Sequence, residues 1–451
     1  MTPTMSNEDQ ASMKRARRDG LILLLLGSVV FVLLGVALEN SAATPASDFR
    51  ALYYPARTLI HHSDPYSIPQ VSSIYQADSA HFPRDDWKAR VIATCNVYPP
   101  SAFTFMFPFA ILEWEPAHIL WLILTVVSIL FASFLMWDTG ANYAPLVSGA
   151  LLALFLINSE LLVISSNAAG IVVSLCVVAV YCFSSNRFVA VGILCLAIGL
   201  TIKPQETGLV WLYFLLAGGV HRKRALQTLL VTIAISLPSL LWVWHFSPHW
   251  LAEWHNNLAV FSARGGINDP GPASAGGHGL AMVISLQSIL SVFRDDPHFY
   301  NMGSYLVTAP LLLVWGIVTL RSRISPSNAW LALAAIAAIS MLPVYHRQYD
   351  AKLLLLTLPA CVMLWAEGGK LGKLALLVNT AGFVFTGDLT WAILLGLIGH
   401  LHLAATGFSA WLSTALQMFP APLMLLAMGV FYLWVYARNN SPSATESEDR
   451  I

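Results

Sequence analysis

Residues 21–38 read LILLLLGSVVFVLLGVAL, eighteen positions without one charged side chain. A helix of about 20 apolar residues spans a bilayer, and this run is followed by many others. Candidate spans are 21–38, 117–137, 143–163, 168–184, 188–201, 206–219, 225–245, 302–320, 327–345, 351–366, 371–386, 388–403, 405–419 and 420–437. Several are short, so the expected fold is all-α, a polytopic transmembrane helical bundle of about 12–14 spans. Composition agrees. The chain is 57% hydrophobic and 11% charged, with a mean hydropathy of +0.66. A soluble domain carries about 25% charged residues, so this chain lacks the polar surface to coat itself in water. Lys plus Arg and Asp plus Glu number 24 each, and a net charge of zero makes nucleic acid an unsuitable partner.

The order of charges predicts an orientation. KRARR at 14–18 precedes the first span, and the positive-inside rule puts it in the cytoplasm. Ser41-Ala42-Ala43 resembles a signal-peptide cleavage site, but the apolar run is long for a signal peptide, and a retained anchor is expected. Counting spans then puts Arg187, His221-Arg222-Lys223-Arg224, Arg321, Arg323, Lys370, Lys373 and Arg438 on the same inner side. Residues 1–20 become a cytoplasmic tail, 21–438 the membrane domain, and 439–451 a disordered cytoplasmic tail. Two long outward loops are expected, 39–100 and 246–301, the second containing GGINDPGPASAGGHG. The short segment 101–112, next to Pro99-Pro100, reads as an interfacial or re-entrant helix.

The ionisable residues with most chemical potential collect on the outward side. Polar groups at membrane depth are costly and mark functional sites by default. Asp48 follows the first span in PASDFRALYYPARTLI; it reads either as a general base with a pKa raised by a dry site or as a helix N-cap. Asp64-Pro65-Tyr66 is a turn or a substrate contact, and His61 and His62 suit a helix C-terminus. Tyr98, with Tyr53 and Tyr54, could stack on a sugar. Asn167 lies between two spans. Lys203-Pro204 interrupts TIKPQETGLV, and the lysine needs an anion: either Glu206 or a lipid phosphate, which the next helix N-terminus would also attract. In His346-Arg347-Gln348-Tyr349-Asp350, Arg347 can grip a phosphate through two parallel hydrogen bonds or pair with Asp350. Lys352 reads as an interfacial snorkelling residue. The five cysteines have no metal-ligand or disulfide spacing, no nucleotide-binding loop is present, and no metal or cofactor is expected.

Four segments carry a resemblance: Asp48-Phe49 with YYPARTLIHHSDPY after it, VYPPSAFTFMFPFAIL at 97–112, Lys203-Pro204-Gln205, and LPVYHRQYDAKLLLLTLPA at 342–360. In this order the chain resembles the integral-membrane glycosyltransferases of the GT-C type, and within them glycosyltransferase family 87, the polyprenol-phosphate-mannose-dependent mannosyltransferases. The resemblance implies a hexosyltransferase of the plasma membrane with its site facing the periplasm or exterior. A hexose, mannose in the family, would move from a polyprenyl-phosphate donor to a lipid or glycan acceptor with inversion. Asp48 matches the base, and Lys203, Arg347 and His346 fit the cations that neutralise the leaving phosphate; Tyr98 lies in the segment like the family's Tyr-x-Pro, Asn167 alone matches the family's Gly-Gln-x-Asn turn, and Tyr98, Asp64, Glu206 and Asn167 are the expected substrate contacts. The family's paired acidic motif is not matched, since Phe49 follows Asp48. The competing reading is a polytopic transporter or lipid-linked-sugar flippase, which would place its polar residues near mid-span and show a broken-helix repeat.

Overall fold

The computed structural model describes residues 7–82, 86–274, 283–323, 325–400 and 407–440. Residues 441–451 of the expected tail and 275–279 of the glycine-rich stretch at 265–279 fall outside them. Among the described residues the chain is helical and has no named strand. An isolated antiparallel bridge joins Val283 and Arg347.

The chain opens with α1 (Asn7–Ser41), followed by a long connection holding α2 (Ser47–Ile60), α3 (Ile68–Ala77), α4 (Trp87–Thr94) and α5 (Ala102–Ala110). Then come α6 (Trp114–Gly140), α7 (Pro145–Ile157), α8 (Leu161–Ile164), α9 (Ala169–Ser185), α10 (Val189–Ile202), α11 (Pro204–Ala217) and α12 (Gly219–Phe246). The second long connection contains α13 (Trp250–Ser262) and α14 (Leu286–Phe293). The last part is α15 (Pro297–Arg321), α16 (Pro326–Ile339), a 3₁₀ helix (Asp350–Thr357), α17 (Leu358–Glu367), α18 (Gly369–Phe385), α19 (Asp388–His400), α20 (Gly407–Met418) and α21 (Pro420–Asn439).

Six of these units are long and apolar enough to cross a membrane: α1, α6, α7 with α8, α12, α15 and α21. A seventh appears if α18 and the start of α19, bent by 62°, count as one span. The protein is therefore a multi-pass, all-α membrane protein. The other spans expected from the sequence fall on helices below that length. The helices between the long ones are short, and α9, α10 and α16 have only 17, 14 and 14 residues. In α16 every residue from Trp330 to Ile339 is buried. A helix apolar on all sides and enclosed by neighbours is a core helix. Helix α16 packs against α21, α15, α11, α17 and the 3₁₀ helix, while Leu25, Leu33, Leu230, Leu241, Leu306 and Leu313 on the long helices stay exposed for lipid.

Small residues close this bundle. Helices in lipid gain little from hydrophobicity, so they approach where side chains are small. A Cβ added to Gly149 in α7 would lie 2.1 Å from the Gly20 carbonyl oxygen in α1, so these backbones touch. The first helix is packed against α7 in the bundle.

A second core lies in the first long connection and is aromatic. Helix α2 buries Phe49, Leu52, Tyr53, Ala56 and Leu59, spaced at three and four residues. Phe49 stacks on Trp121 of α6, with ring centroids 4.9 Å apart, and meets Phe109 of α5 edge-on. Arg50 lies 3.9 Å above the Phe82 ring, a cation–π contact. This aromatic block fixes α2 over the bundle, and with it the direction of Asp48.

Candidate active site

Asp48 stands in the first turn of α2. The N-cap is Ala46, in the left-handed region at φ 53°, with no side-chain cap, so the capping role considered for Asp48 is not the one it plays. The helix start is held from outside. Ala46 N–H donates to Ile164 O (2.9 Å) and Asp48 N–H to Ser165 O (3.0 Å). The Asp48 carboxylate instead accepts from Asn167 Nδ2 at 2.9 Å. Asp48 is surrounded by protein yet only partly buried at its surface, so solvent still reaches it. Burial raises its pKa above the ordinary 3.8, while the Asn167 hydrogen bond and the charges of Arg347 and Lys203 pull it back. A raised folded-state pKa means the ionised form costs stability as pH rises through it. The rest of the fold sustains that cost.

Asn167 has one possible amide orientation. Its Oδ1 accepts from Ala169 N–H (2.8 Å) and from Lys203 Nζ (3.1 Å). Two donors require the oxygen there, so the amide nitrogen must point at Asp48.

Lys203 sits where α10 ends and α11 begins. Pro204 fills the first position of α11, where a missing N–H costs nothing. The buried ammonium bonds to three side chains: Asn167, Glu206 Oε1 at 2.5 Å and Asp350 Oδ1 at 2.7 Å. Its three donors are thereby used. Of the two anions considered for Lys203, Glu206 is present, but a second carboxylate, Asp350, joins it from 147 positions away. The Tyr349 ring packs 5.0 Å from the ammonium.

The segment from Leu342 to Asp350 forms the opposite wall, and the second long connection lies along it. Ile284 N–H donates to His346 O (2.8 Å) and Leu286 N–H to Leu342 O (3.0 Å). Arg347 sends its guanidinium to Ile267 O, to the Tyr345 hydroxyl and to Asn268 Oδ1 (3.5 Å). Asp350 Oδ2 takes the Arg347 backbone N–H at 2.8 Å. The anticipated Arg347–Asp350 pairing thus runs through the backbone, and the guanidinium is directed elsewhere. Its charge is close enough to act on Asp48. His346 is buried, with Nδ1 at 3.1 Å from Val344 O and Nε2 without a partner among the described residues. Burial lowers its pKa below the ordinary 6.5, so at pH 7 it is a neutral imidazole that can donate or accept, not the cation expected of it. Tyr98 completes the group. Burial raises its pKa above 10, and it lies in the electrostatic field of Lys203, Asp48, Asp350 and Glu206, so its hydroxyl keeps its proton and can donate.

Asp64 does not join them. Its carboxylate accepts from Tyr66 N–H (2.9 Å), its own N–H donates to Gln70 Oε1 (2.7 Å), and its side chain lies against Glu253. It is a turn residue.

Lys352 is the largest departure from expectation. A snorkelling lysine reaches water, but this one is buried. Its Nζ donates to Asn158 O and to Asp388 Oδ1 at 3.2 Å. Glu160, also buried, lies close to Asp388 and Lys352, and neither of its carboxylate oxygens has a hydrogen-bond partner among the described residues. Nothing local in the sequence marks this second cluster.

The first cluster joins a fixed carboxylate, a phenol donor and two cations at one end of the bundle, where helix ends after α1, α8, α10 and α16 meet. Such a group can accept a proton and stabilise a developing anion. No curated protein and no solved structure matches the chain. The sequence model of Glycosyltransferase family 87 matches residues 96–344, more than half of the chain, with Tyr98, Asn167, Lys203 and Glu206 inside it. The match favours a transferase over a transporter or flippase. The chain belongs to glycosyltransferase family 87.

Proposed function

We propose that this glycosyltransferase moves a hexose, mannose by family analogy, from a polyprenyl-phosphate donor to a lipid or glycan acceptor, with inversion and with Asp48 as general base. Asp48 takes the proton of the acceptor hydroxyl. That oxygen forms its bond to the anomeric carbon as the bond from this carbon to the phosphate oxygen breaks. The electron pair leaves with the polyprenyl phosphate. Arg347 stabilises that anion, because a fixed cation aimed at developing charge lowers the barrier. Lys203 is already neutralised by Glu206 and Asp350, so its part is to hold Asn167, and through it Asp48. Tyr98 donates to a sugar hydroxyl. The N- and C-termini are cytoplasmic and the site faces the periplasm or exterior, consistent with basic residues at the helix ends opposite the cluster.

The observation that carries this reading is the Asp48–Asn167–Lys203 chain. It orients a partly accessible carboxylate whose pKa burial has raised, which is what a base working near neutral pH requires. The test uses the purified protein in proteoliposomes with radiolabelled mannosyl polyprenyl phosphate, nucleotide-activated mannose and a bacterial lipid extract as acceptor. Label should leave the polyprenyl phosphate and not the nucleotide. Transfer from the nucleotide alone, or from neither donor, would overturn it.

A further inference from the structure

The Lys352 cluster lies outside the reacting groups but touches the backbone that carries them. Two segments supply most of the site. One runs from Asn158 to Asn167 and provides Asn167 and the carbonyls that hold α2. The other runs from Leu342 to Thr357 and provides His346, Arg347 and Asp350. Lys203 joins them on the site side by bonding Asn167 and Asp350 together.

A second joint exists. Asp350 and Lys352 are two apart in a 3₁₀ helix, which turns about 120° per residue, so they leave it in different directions. Asp350 meets Lys203, while Lys352 meets Asn158 O and Asp388. Asp388 Oδ2 accepts from Leu161 N–H at 2.9 Å, and Thr390 donates to Asn158 Oδ1 through N–H (3.3 Å) and hydroxyl (3.2 Å). A Cβ on Gly387 would lie 2.4 Å from Asn158 Oδ1, so the α18–α19 break is pressed against this turn. Lys352 and Asp388 therefore tie the start of one site segment to the middle of the other.

We propose that Lys352, acting with Asp388, is a positioning residue for sugar transfer: it fixes the separation of the two segments, and so the distance from the Asp48–Asn167 pair to Arg347 and Asp350. This rests on the site proposed above. Misplacement of catalytic groups by about 1 Å costs on the order of a hundredfold in rate.

The test measures kcat, donor KM and the pH dependence of kcat/KM per folded molecule, with mannosyl polyprenyl phosphate as donor. Lys352→Met leaves Asp388 unpaired and can fail to fold, so the charge-free double variant Lys352→Met/Asp388→Asn is run beside it, with Lys352→Arg as the conservative control. The double variant should insert and melt as a folded protein, lose roughly tenfold or more in kcat and shift the acid limb of its pH profile. Lys352→Arg should recover most of the rate. A double variant with wild-type kcat and an unmoved acid limb, whatever its yield, would overturn the proposal. Asp48→Asn in the same assay keeps the two readings apart: if it transfers normally, the base assignment fails by itself.

Discussion

Two buried lysines, Lys203 and Lys352, hold carboxylates inside this bundle, and they differ in what lies next to them. Lys203 is 5% exposed and Lys352 3%, so burial does not separate them. Their neighbours do. The Lys203 group adjoins Asp48, Tyr98 and Tyr345, all partly exposed. The Lys352 group is enclosed by the α7–α8 turn, the 3₁₀ helix and the α18–α19 break, with Asn158, Glu160 and Asp388 all buried. On the proposed function, the same ionic chemistry borders the reaction in one place and fixes the frame in the other.

Substitutions can break that contrast. The largest effect belongs to Lys203→Met. It strands Glu206 and Asp350, and removing one partner of a buried ion pair costs about 3–5 kcal/mol. It also frees Asn167, so transfer should be undetectable in whatever folds. Thermal melting in detergent and a transfer assay check both halves; a stable, active Lys203→Met would show the ammonium to be dispensable. Next is Asp48→Asn, which should fold and bind donor but transfer about 10²–10⁴-fold more slowly. Arg347→Ala comes third, with a loss in kcat/KM of about 10- to 100-fold, from hydrogen bonds to charged groups worth about 1.5–3 kcal/mol. Donor titration reads it, and unchanged donor affinity and rate would remove Arg347 from the site. Asp64→Asn should be the mildest, within about 0.5 kcal/mol of wild-type stability and with near-normal transfer. A large loss there would return Asp64 to the substrate.

The contrast also explains what could be read from the sequence. Lys203 was conspicuous because Lys-Pro interrupts an apolar run, and Asp48 because it follows a span closely. Their common sidedness anticipated that they meet. Asp350 as a direct partner of Lys203 was not legible, because the contact joins residues 147 apart through tertiary packing. Lys352 reads as a snorkelling residue for a related reason: a lysine beside an apolar run looks identical whether it reaches water or a buried aspartate. The cap reading of Asp48 failed because Ala46 takes the left-handed turn and backbone carbonyls of residues 164 and 165 satisfy the helix start instead. The span number rests on helix length: among the described residues six helices are long enough by themselves, while α9, α10 and α16 are apolar but only 17, 14 and 14 residues long.

The central claim is that Asp48, kept in reach of solvent and oriented by Asn167, is the base. The pH dependence of kcat/KM tests it most directly. Burial raises the Asp48 pKa, and only the carboxylate can take the proton. Transfer should therefore fall as pH drops through a pKa above the ordinary 3.8, and this limb should vanish from the residual activity of Asp48→Asn. An acid limb at or below the ordinary carboxylate value, or the same limb and rate in Asp48→Asn, would contradict the assignment.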